Sequence, residues 1–274
     1  MIQRKRRMIQ KKLVYDFWNT ASCGETLYLE GDDRNAYILQ SKIRYELEPQ
    51  ILNFVQFGAY KDKDVLEVGV GLGADHQKFA EAGAKLKGID LTERAISHLS
   101  KRMKIFGLYS ELYVADAENL FFEDDSFDLI YSWGVLHHTP DTKRAISQVF
   151  RMLRNGGEAK IMIYHKYSFV GYMLWVRYAL LRLKPFTTLT EIYNQYLESP
   201  GTKAFSCEEA RALFSQFQHV EIKTVLTHGD LLTSEAGQRH KGIFLSIAQL
   251  IWPRWFIKLF FKSQGLFMLI SAKK

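Results

Sequence analysis

The chain has little cysteine, little proline and no long apolar run. Its 274 residues include two cysteines, Cys23 and Cys207, far apart in sequence. That is too sparse for a disulfide scaffold or a Cys-based zinc site, and it points to a reducing cytoplasm by default. Five prolines give no basis for long extended linkers. No uncharged stretch exceeds 12 residues, whereas a spanning helix needs roughly 20 apolar residues, so an integral membrane protein is excluded. The N-terminus is basic, but no apolar core with a small-residue cleavage site follows it, which argues against a secretory signal. There are no internal repeats and no low-complexity tracts.

What the chain does have is core-forming material and an uneven charge. It is 47% hydrophobic and 14% aromatic, enough for one large domain or one domain with additions, and far from the composition of a disordered chain. Lys and Arg number 37 against 30 Asp and Glu, a net charge of +7. Residues 1–12 hold Arg4, Lys5, Arg6, Arg7, Lys11 and Lys12 and no acid, and residues 236–274 hold seven bases and no acid. The stretch between them keeps 24 bases against all 30 acids. A basic total therefore describes an acidic body with two basic ends. Bases gathered at a terminus, beside a net negative body, do not form the continuous groove that tracks a nucleic-acid backbone, so a nucleic-acid partner is not expected.

From residue 63 apolar runs alternate with helical patterns. Strands are expected at 64–68, 85–89, 112–115, 127–131, 158–164, 220–227 and 266–270. Helices are expected from Asp75, over 92–103 with Ala95, Ile96, Leu99 and Met103 inward, and up to Leu153 behind an Asp141 cap. Ser206 and Glu209 have the spacing of a capping box. This alternation implies an α/β protein with a mostly parallel sheet covered on both faces. Residues 165–205 and 228–263 break the pattern.

The strongest chemical signal is Glu67-Val68-Gly69-Val70-Gly71-Leu72-Gly73, between the first strand and a helix. Glycines there allow a tight turn and close approach of backbone to a ligand. Gly69, Gly71 and Ala74 also satisfy the dinucleotide spacing G-x-G-x-x-G/A, so an NAD(P)-dependent oxidoreductase is one reading. Glu67 beside the loop favours a cationic group over a pyrophosphate, since a second anion there would cost Coulomb energy. Asp90 ends the second strand, where a carboxylate can accept both hydroxyls of a ribose. Asp116 ends the third, where it can accept the amino group of adenine. Acids at three successive strand tips outline a crevice at the carboxyl edge of the sheet.

With these residues in view, the sequence resembles the class I S-adenosylmethionine-dependent methyltransferases. The likeness runs in order through Val65–Gly73, Gly88-Ile89-Asp90-Leu91, Ala115–Leu120, Phe127–Ser132, Val135-Leu136-His137-His138 and Leu153–Gly157, and so covers about residues 60–165. The outer segments, Phe17-Trp18-Asn19, Cys23-Gly24-Glu25 and Tyr164-His165, look like a bacterial small-molecule or quinone-type subgroup. The resemblance implies a Rossmann-like seven-stranded sheet, mostly parallel with an antiparallel last strand. It implies S-adenosylmethionine as cofactor, with Gly69, Gly71 and Gly73 under the methionine part and Glu67 at its amino end. Asp90 and Leu91 fall at the ribose, Asp116, Ala117 and Glu118 at the adenine, and Ser132 and Trp133 near the sulfonium. The oxidoreductase reading accounts for the glycines and Asp90 but not for Glu67, Asp116 or the final strand. A non-catalytic cofactor-binding or membrane-docking module is the non-enzymatic alternative.

Methyl transfer needs alignment, exclusion of water and, for an O–H acceptor, a proton acceptor. His137, His138 and His165 are the candidate bases, because an unperturbed imidazole titrates near pH ~6.5. O-methylation of a small acceptor is therefore expected ahead of C-methylation. Trp18, Tyr28 and Tyr164 are the expected pocket aromatics. No metal is expected, since the histidines lack ligand spacing with Cys or an acid. By organisation, residues 1–60 read as an extension capping the cofactor, 61–165 as the cofactor-binding core, 166–205 as a lid insert, and 206–274 as the end of the sheet with a second insert at 228–263. The segments 166–185 and 242–262 are aromatic, basic and free of acids. They read either as lid helices with snorkelling bases or as a peripheral membrane contact. In the second case the acceptor is an amphiphile.

Overall fold

The computed structural model describes residues 2–233 and 252–274. Seven strands form one sheet: β1 (Asp64–Val68), β2 (Lys85–Asp90), β3 (Glu111–Val114), β4 (Phe127–Trp133), β5 (Leu153–Tyr164), β6 (His219–Val225) and β7 (Phe267–Lys273). Their order is β3-β2-β1-β4-β5-β7-β6. The first five strands are parallel. β7 runs antiparallel between β5 and β6. The strand order reverses between β1 and β4, and in such sheets ligands bind beyond the carboxyl ends of the strands at that reversal.

Period-two alternation sorts the core into two layers. Leu66, Val68, Ile130, Ile161, Ile163 and Ile270 point to one face. There they meet Ala145, Ile146, Val149 and Met152 of a helix at Thr142–Met152 and Phe214 beside a helix at Cys207–Leu213. Val65, Leu129, Tyr131, Trp133, Met162 and Tyr164 point to the other, against Ile51, Val55 and Phe79. Along the chain the helices are α1 (Ile2–Thr20), α2 (Glu25–Tyr28), α3 (Arg34–Leu47), α4 (Gln50–Val55), α5 (Ala74–Glu81), α6 (Glu93–Phe106), α7 (Thr142–Met152), α8 (Phe169–Tyr178), α9 (Leu189–Tyr196), α10 (Cys207–Leu213), α11 (His228–Leu231) and α12 (Arg254–Phe260).

Local chemistry explains the boundaries. Asp141 accepts from the Arg144 N–H at the start of α7, and Ser206 and Glu209 close a reciprocal capping box on α10, both as the sequence predicts. α6 extends past the expected end at 103 and stops at Gly107, which takes the left-handed conformation (φ 67). β5 starts earlier than expected. Phe127 pairs with Leu153 but Leu129 pairs with Glu158, so the expected Asn155-Gly156-Gly157 turn is absorbed as an irregularity within the strand. Residues 165–205, patternless in sequence, hold α8 and α9. The insert at 228–263 opens with α11 and closes through α12, while its residues 234–251, and hence 242–251 of the expected aromatic-basic segment, lie outside the described residues.

Candidate active site

One cavity of about 440 Å³ lies beyond the carboxyl ends of β1, β2 and β4, within the size range of small-molecule sites. Its floor is the loop from Gly69 to Gly73. At Gly69 (φ 84) an added Cβ would lie 2.1 Å from the Val135 side chain, so the turn and the segment after β4 touch only because that side chain is absent. Gly71 (φ 50) differs: a Cβ there would meet nothing within 4 Å. Its missing side chain leaves space on the cavity side of the loop. Gly73 precedes α5 and packs against Leu99.

The three strand-tip acids sit around this floor in different states. Asp90 Oδ1 accepts from the Thr92 N–H and hydroxyl at 3.0 and 2.9 Å, and Oδ2 accepts from the Gly71 N–H at 3.3 Å. Burial raises its pKa against the pull of those hydrogen bonds. Leu91, Ala115 and Ala117 line the wall beside it. Asp116 is engaged by Lys11 of α1 at 2.5 Å, which also reaches Glu118 at 2.8 Å. Glu118 is buried, accepts from the Asp141 N–H at 2.7 Å, and anchors Lys11 and the start of α7 rather than facing the cavity. Glu67 is buried 2.8 Å from His76 Nδ1, whose Nε2 lies 2.8 Å from the Ser110 hydroxyl. Burial, with Asp75 and Asp90 nearby, pushes the Glu67 carboxyl well above the usual range. Burial also lowers His76 to about 3, so its imidazole is neutral.

Behind the floor lies an ionic cluster. Asp75, in the first turn of α5, accepts from Arg44 Nε at 3.1 Å and Nη2 at 2.6 Å, from Tyr45 at 2.9 Å and from Tyr131 at 2.7 Å. Burial alone would raise Asp75, but Arg44 and the hydroxyl donors hold it below its ordinary value.

The far end of the same cavity is a chamber of aromatic, apolar and carboxylate side chains. Tyr164 donates to Glu198 Oε2 at 2.7 Å, and His138 Nε2 stands 3.3 Å from that same oxygen. The other ring nitrogen of His138 is held by the Ser199 and Thr202 hydroxyls at 2.9 and 3.1 Å. The ring of Trp18 meets His138 edge-on at 5.3 Å. Trp133 donates to Glu48 at 2.9 Å. Burial raises Glu48, opposed by Arg44. Cys23 is exposed on the cavity wall, and desolvation by the surrounding protein pushes its thiol up to about 12. Tyr28 joins this wall, and Met162, Met173, Leu174, Leu197 and Phe267 make the rest of the chamber apolar.

Of the expected bases, only His138 reaches the cavity. His137 is fully buried, stacked on Tyr164 at 3.9 Å, with neither ring nitrogen hydrogen-bonded. Burial, with His138 beside it, holds its pKa well below the ordinary value. His165 lies with Nδ1 3.2 Å from the Gly265 carbonyl oxygen and is not on the cavity wall. Ser132 is also off the wall: its hydroxyl donates to the Val68 carbonyl at 2.9 Å and braces β4 on β1. Among the described residues, one group with metal-ligand potential exists. His137, His138 and Glu198 bring donor atoms within 4.8 Å of one another. Sequence spacing concealed it because Glu198 arrives from 60 residues further along. Glu48, Glu198, Cys23 and Lys11 were not singled out as site residues. Glu198 had one available signal, as the only acid between Glu191 and Glu208 in an otherwise aromatic stretch.

Comparison with known proteins agrees with this geometry. A methyltransferase-domain family matches residues 66–161, the segment that builds the glycine loop and the first five strands. The chain is 33% identical over 117 residues to phosphoethanolamine N-methyltransferase 2 of Caenorhabditis elegans, covering 40% of this chain and 26% of that protein. It is 27% identical over 168 residues to the ubiquinone biosynthesis O-methyltransferase of Aromatoleum aromaticum, covering 61% and 71%. The chain spans between 26% and 35% of the length of the first curated relatives it matches. In structure it is similar to Haemonchus contortus phosphoethanolamine N-methyltransferase 2 in complex with phosphomonomethylethanolamine and S-adenosylhomocysteine. That match has a TM-score of 0.58 at 20% identity, over 82% of this chain and 52% of that one. Residues 66–161 match a methyltransferase domain, and the sheet order and glycine loop give the chain the fold of the class I S-adenosylmethionine-dependent methyltransferases.

Proposed function

We propose that the protein transfers the methyl group of S-adenosylmethionine to a hydroxyl of a small amphiphilic acceptor. The observation that carries the reading is the cluster of Tyr164, Glu198 and His138, which shares one cavity with the glycine loop. The open side of Gly71, the Asp90 carboxylate and the Ala115–Ala117 wall suit a nucleoside carrying an amino acid. Glu67 suits that ligand's ammonium end. When bound, the cofactor supplies a methyl group activated on a sulfonium. Trp18, Trp133 and Tyr164 exclude water from the transfer, and the apolar wall orients the acceptor. Glu198 accepts the hydroxyl proton, with Tyr164 and His138 placed to stabilise its charge or pass the proton on. Residues 1–60 act as the cap, through Lys11 on Asp116 and Trp18 on His138, and residues 166–205 act as the lid that delivers Glu198.

The ubiquinone-type relative supports oxygen as the acceptor atom. Carboxylates beside aromatic rings also suit an ammonium ion, so N-methylation is the second reading, supported by Glu48 and Glu198 together. Incubation with labelled S-adenosylmethionine and an extract of the source cell tests both, by isolating the labelled product and locating its methyl group. An N-methyl product overturns the first reading. Glu198→Gln is expected to lower kcat by about a hundredfold or more, the usual scale for a general base, with S-adenosylmethionine affinity unchanged. We assign no metal to His137, His138 and Glu198 and read Glu198 as held by Tyr164 and His138, so activity persists in excess chelator. Loss of activity on chelation, restored by a divalent ion, overturns that assignment.

A further inference from the structure

Two short helices carry apolar side chains that the fold leaves in water. On α8 and the loop after it, Tyr172, Val176, Leu180, Leu181, Leu183 and Phe186 are exposed, and on α12 so are Trp255, Phe256, Leu259 and Phe260. Leu183 is 90% exposed and Phe186 96%. The two segments meet where the start of α8 touches the residue after α12. The Phe169 ring lies 6.4 Å from Tyr172 and 5.7 Å from Phe261, and Phe256 lies 5.7 Å from Phe261. Single exposed apolar residues need no explanation, but a contiguous patch with a polar rim marks an interaction site. Leu183 also holds φ 55, a conformation that disfavours a bulky side chain, and it buries almost nothing in return.

The rim is basic. Residues 166–188 and 252–274 contain no acid. Lys166 pairs with Glu209 and Lys274 with Asp125, whereas among the described residues Arg177, Arg182, Lys184, Lys258 and Lys262 pair with no acid. The Arg177 and Arg182 guanidiniums sit over the Tyr178 ring at 5.2 and 5.0 Å. Glu191, the nearest acid along the chain, is occupied in the capping box of α9. A second copy docked face to face on this patch would set these five bases against the same five. An anionic lipid surface complements them. No helix among the described residues is long and apolar enough to cross a membrane, so the contact is peripheral.

We propose that α8, residues 179–188 and α12 form a docking surface for an anionic phospholipid bilayer. Leu181, Leu183, Phe186 and Trp255 enter the headgroup–acyl boundary, and the bases meet lipid phosphates. The same α8 lines the acceptor chamber through Met173 and Leu174, so docking sets the chamber beside the bilayer. The docking itself stands independently of the methylation chemistry.

Flotation of the full chain with phosphatidylcholine vesicles, with and without phosphatidylglycerol, tests the proposal. The protein is expected to float with the anionic vesicles and to be released by salt or by omission of phosphatidylglycerol. Leu181→Glu, Leu183→Glu and Phe186→Glu combined should cut the bound fraction at least tenfold. Lys184→Glu, Lys258→Glu and Lys262→Glu combined should also weaken it, by about fivefold per base. A shift in melting temperature with S-adenosylhomocysteine, unchanged in both variants, reports intact folding and cofactor binding. Three results overturn the proposal: no flotation of the folded wild type, flotation of the apolar variant equal to wild type, or a dimer in light scattering that the apolar variant converts to monomer.

Discussion

Arg44 and Asp75 illustrate how a residue pair couples folding to the site. Asp75 is almost wholly buried and Arg44 is its one formal counter-charge at hydrogen-bond distance. Removing one member of such a pair strands the other charge, at a cost of about 3 kcal/mol. Arg44→Met is therefore expected to lower stability by about that amount, measured by urea unfolding. In the wild type the folded-state pKa of Asp75 is depressed, so the pair's contribution is present above the ordinary carboxylate pKa and is lost as pH falls through the depressed value. In the variant, acid neutralises the stranded carboxyl, so the deficit should be smaller near pH 5 than near pH 8. Equal deficits would show that the pair is not the source. Cys23 gives a second residue-scale test. A thiol at about 12 is barely ionised near pH 8, and the thiolate is the reactive form. Both cysteines are exposed, so access does not separate them; alkylation near pH 8 should label Cys207 first and Cys23 more slowly, and two thiols reacting at one rate would contradict the raised thiol pKa.

At the scale of elements, the β1–α5 turn was legible because its constraint is local. Each of Gly69, Gly71 and Gly73 takes a positive φ, and only glycine accepts that at little cost. Gly71→Arg strains the turn through its positive φ, but its Cβ meets no atom, so the sheet should stay folded while the side chain fills the cavity. Calorimetry should then find no binding of S-adenosylhomocysteine, and retained affinity would refute the placement of the cofactor. The caps of α7 and α10 were legible for the same reason, because Asp141 and Ser206 act within three residues. α8 was not, because its aromatic residues lack the clean apolar face that marks an amphipathic helix, and it is held by contacts such as Ser168 with Tyr193 at 2.8 Å; α9 carried a local signal, the Thr188–Glu191 capping box, that the pattern of apolar runs did not bring out. The engagement of Asp116 by Lys11 was equally hidden, because it joins residues 105 apart in sequence.

For the whole molecule, the charge division acquires a spatial meaning. Six of the 30 acids line the cavity: Glu48, Glu67, Asp75, Asp90, Asp116 and Glu198. Of the terminal bases, Arg7 and Lys11 are drawn onto Asp141, Asp116 and Glu118. Ligand linkage gives a test at this scale. S-adenosylhomocysteine at a hundredfold over its Kd should add about 2.7 kcal/mol, a rise of roughly 5–10 °C in Tm for a domain of this size. NAD⁺ should give none; the reverse pattern would restore the oxidoreductase reading.

The sequence by itself determined the parallel core, the glycine turn, the acids at the strand tips and the helix caps. Each follows from alternation, spacing or a short-range hydrogen bond, which are properties of neighbouring residues. It also named His138, Trp18, Tyr28 and Tyr164 as site residues. Only the tertiary structure decided which histidine meets the cavity. His137 and His138 are adjacent in sequence, yet the short 3-10 turn after β4 buries one beneath Tyr164 and sets the other against Glu198. Only the tertiary structure brought Glu48 and Glu198 into the chamber, and only it set the start of α8 against the end of α12. Such meetings depend on the path of the chain between distant segments, and no local pattern records that path.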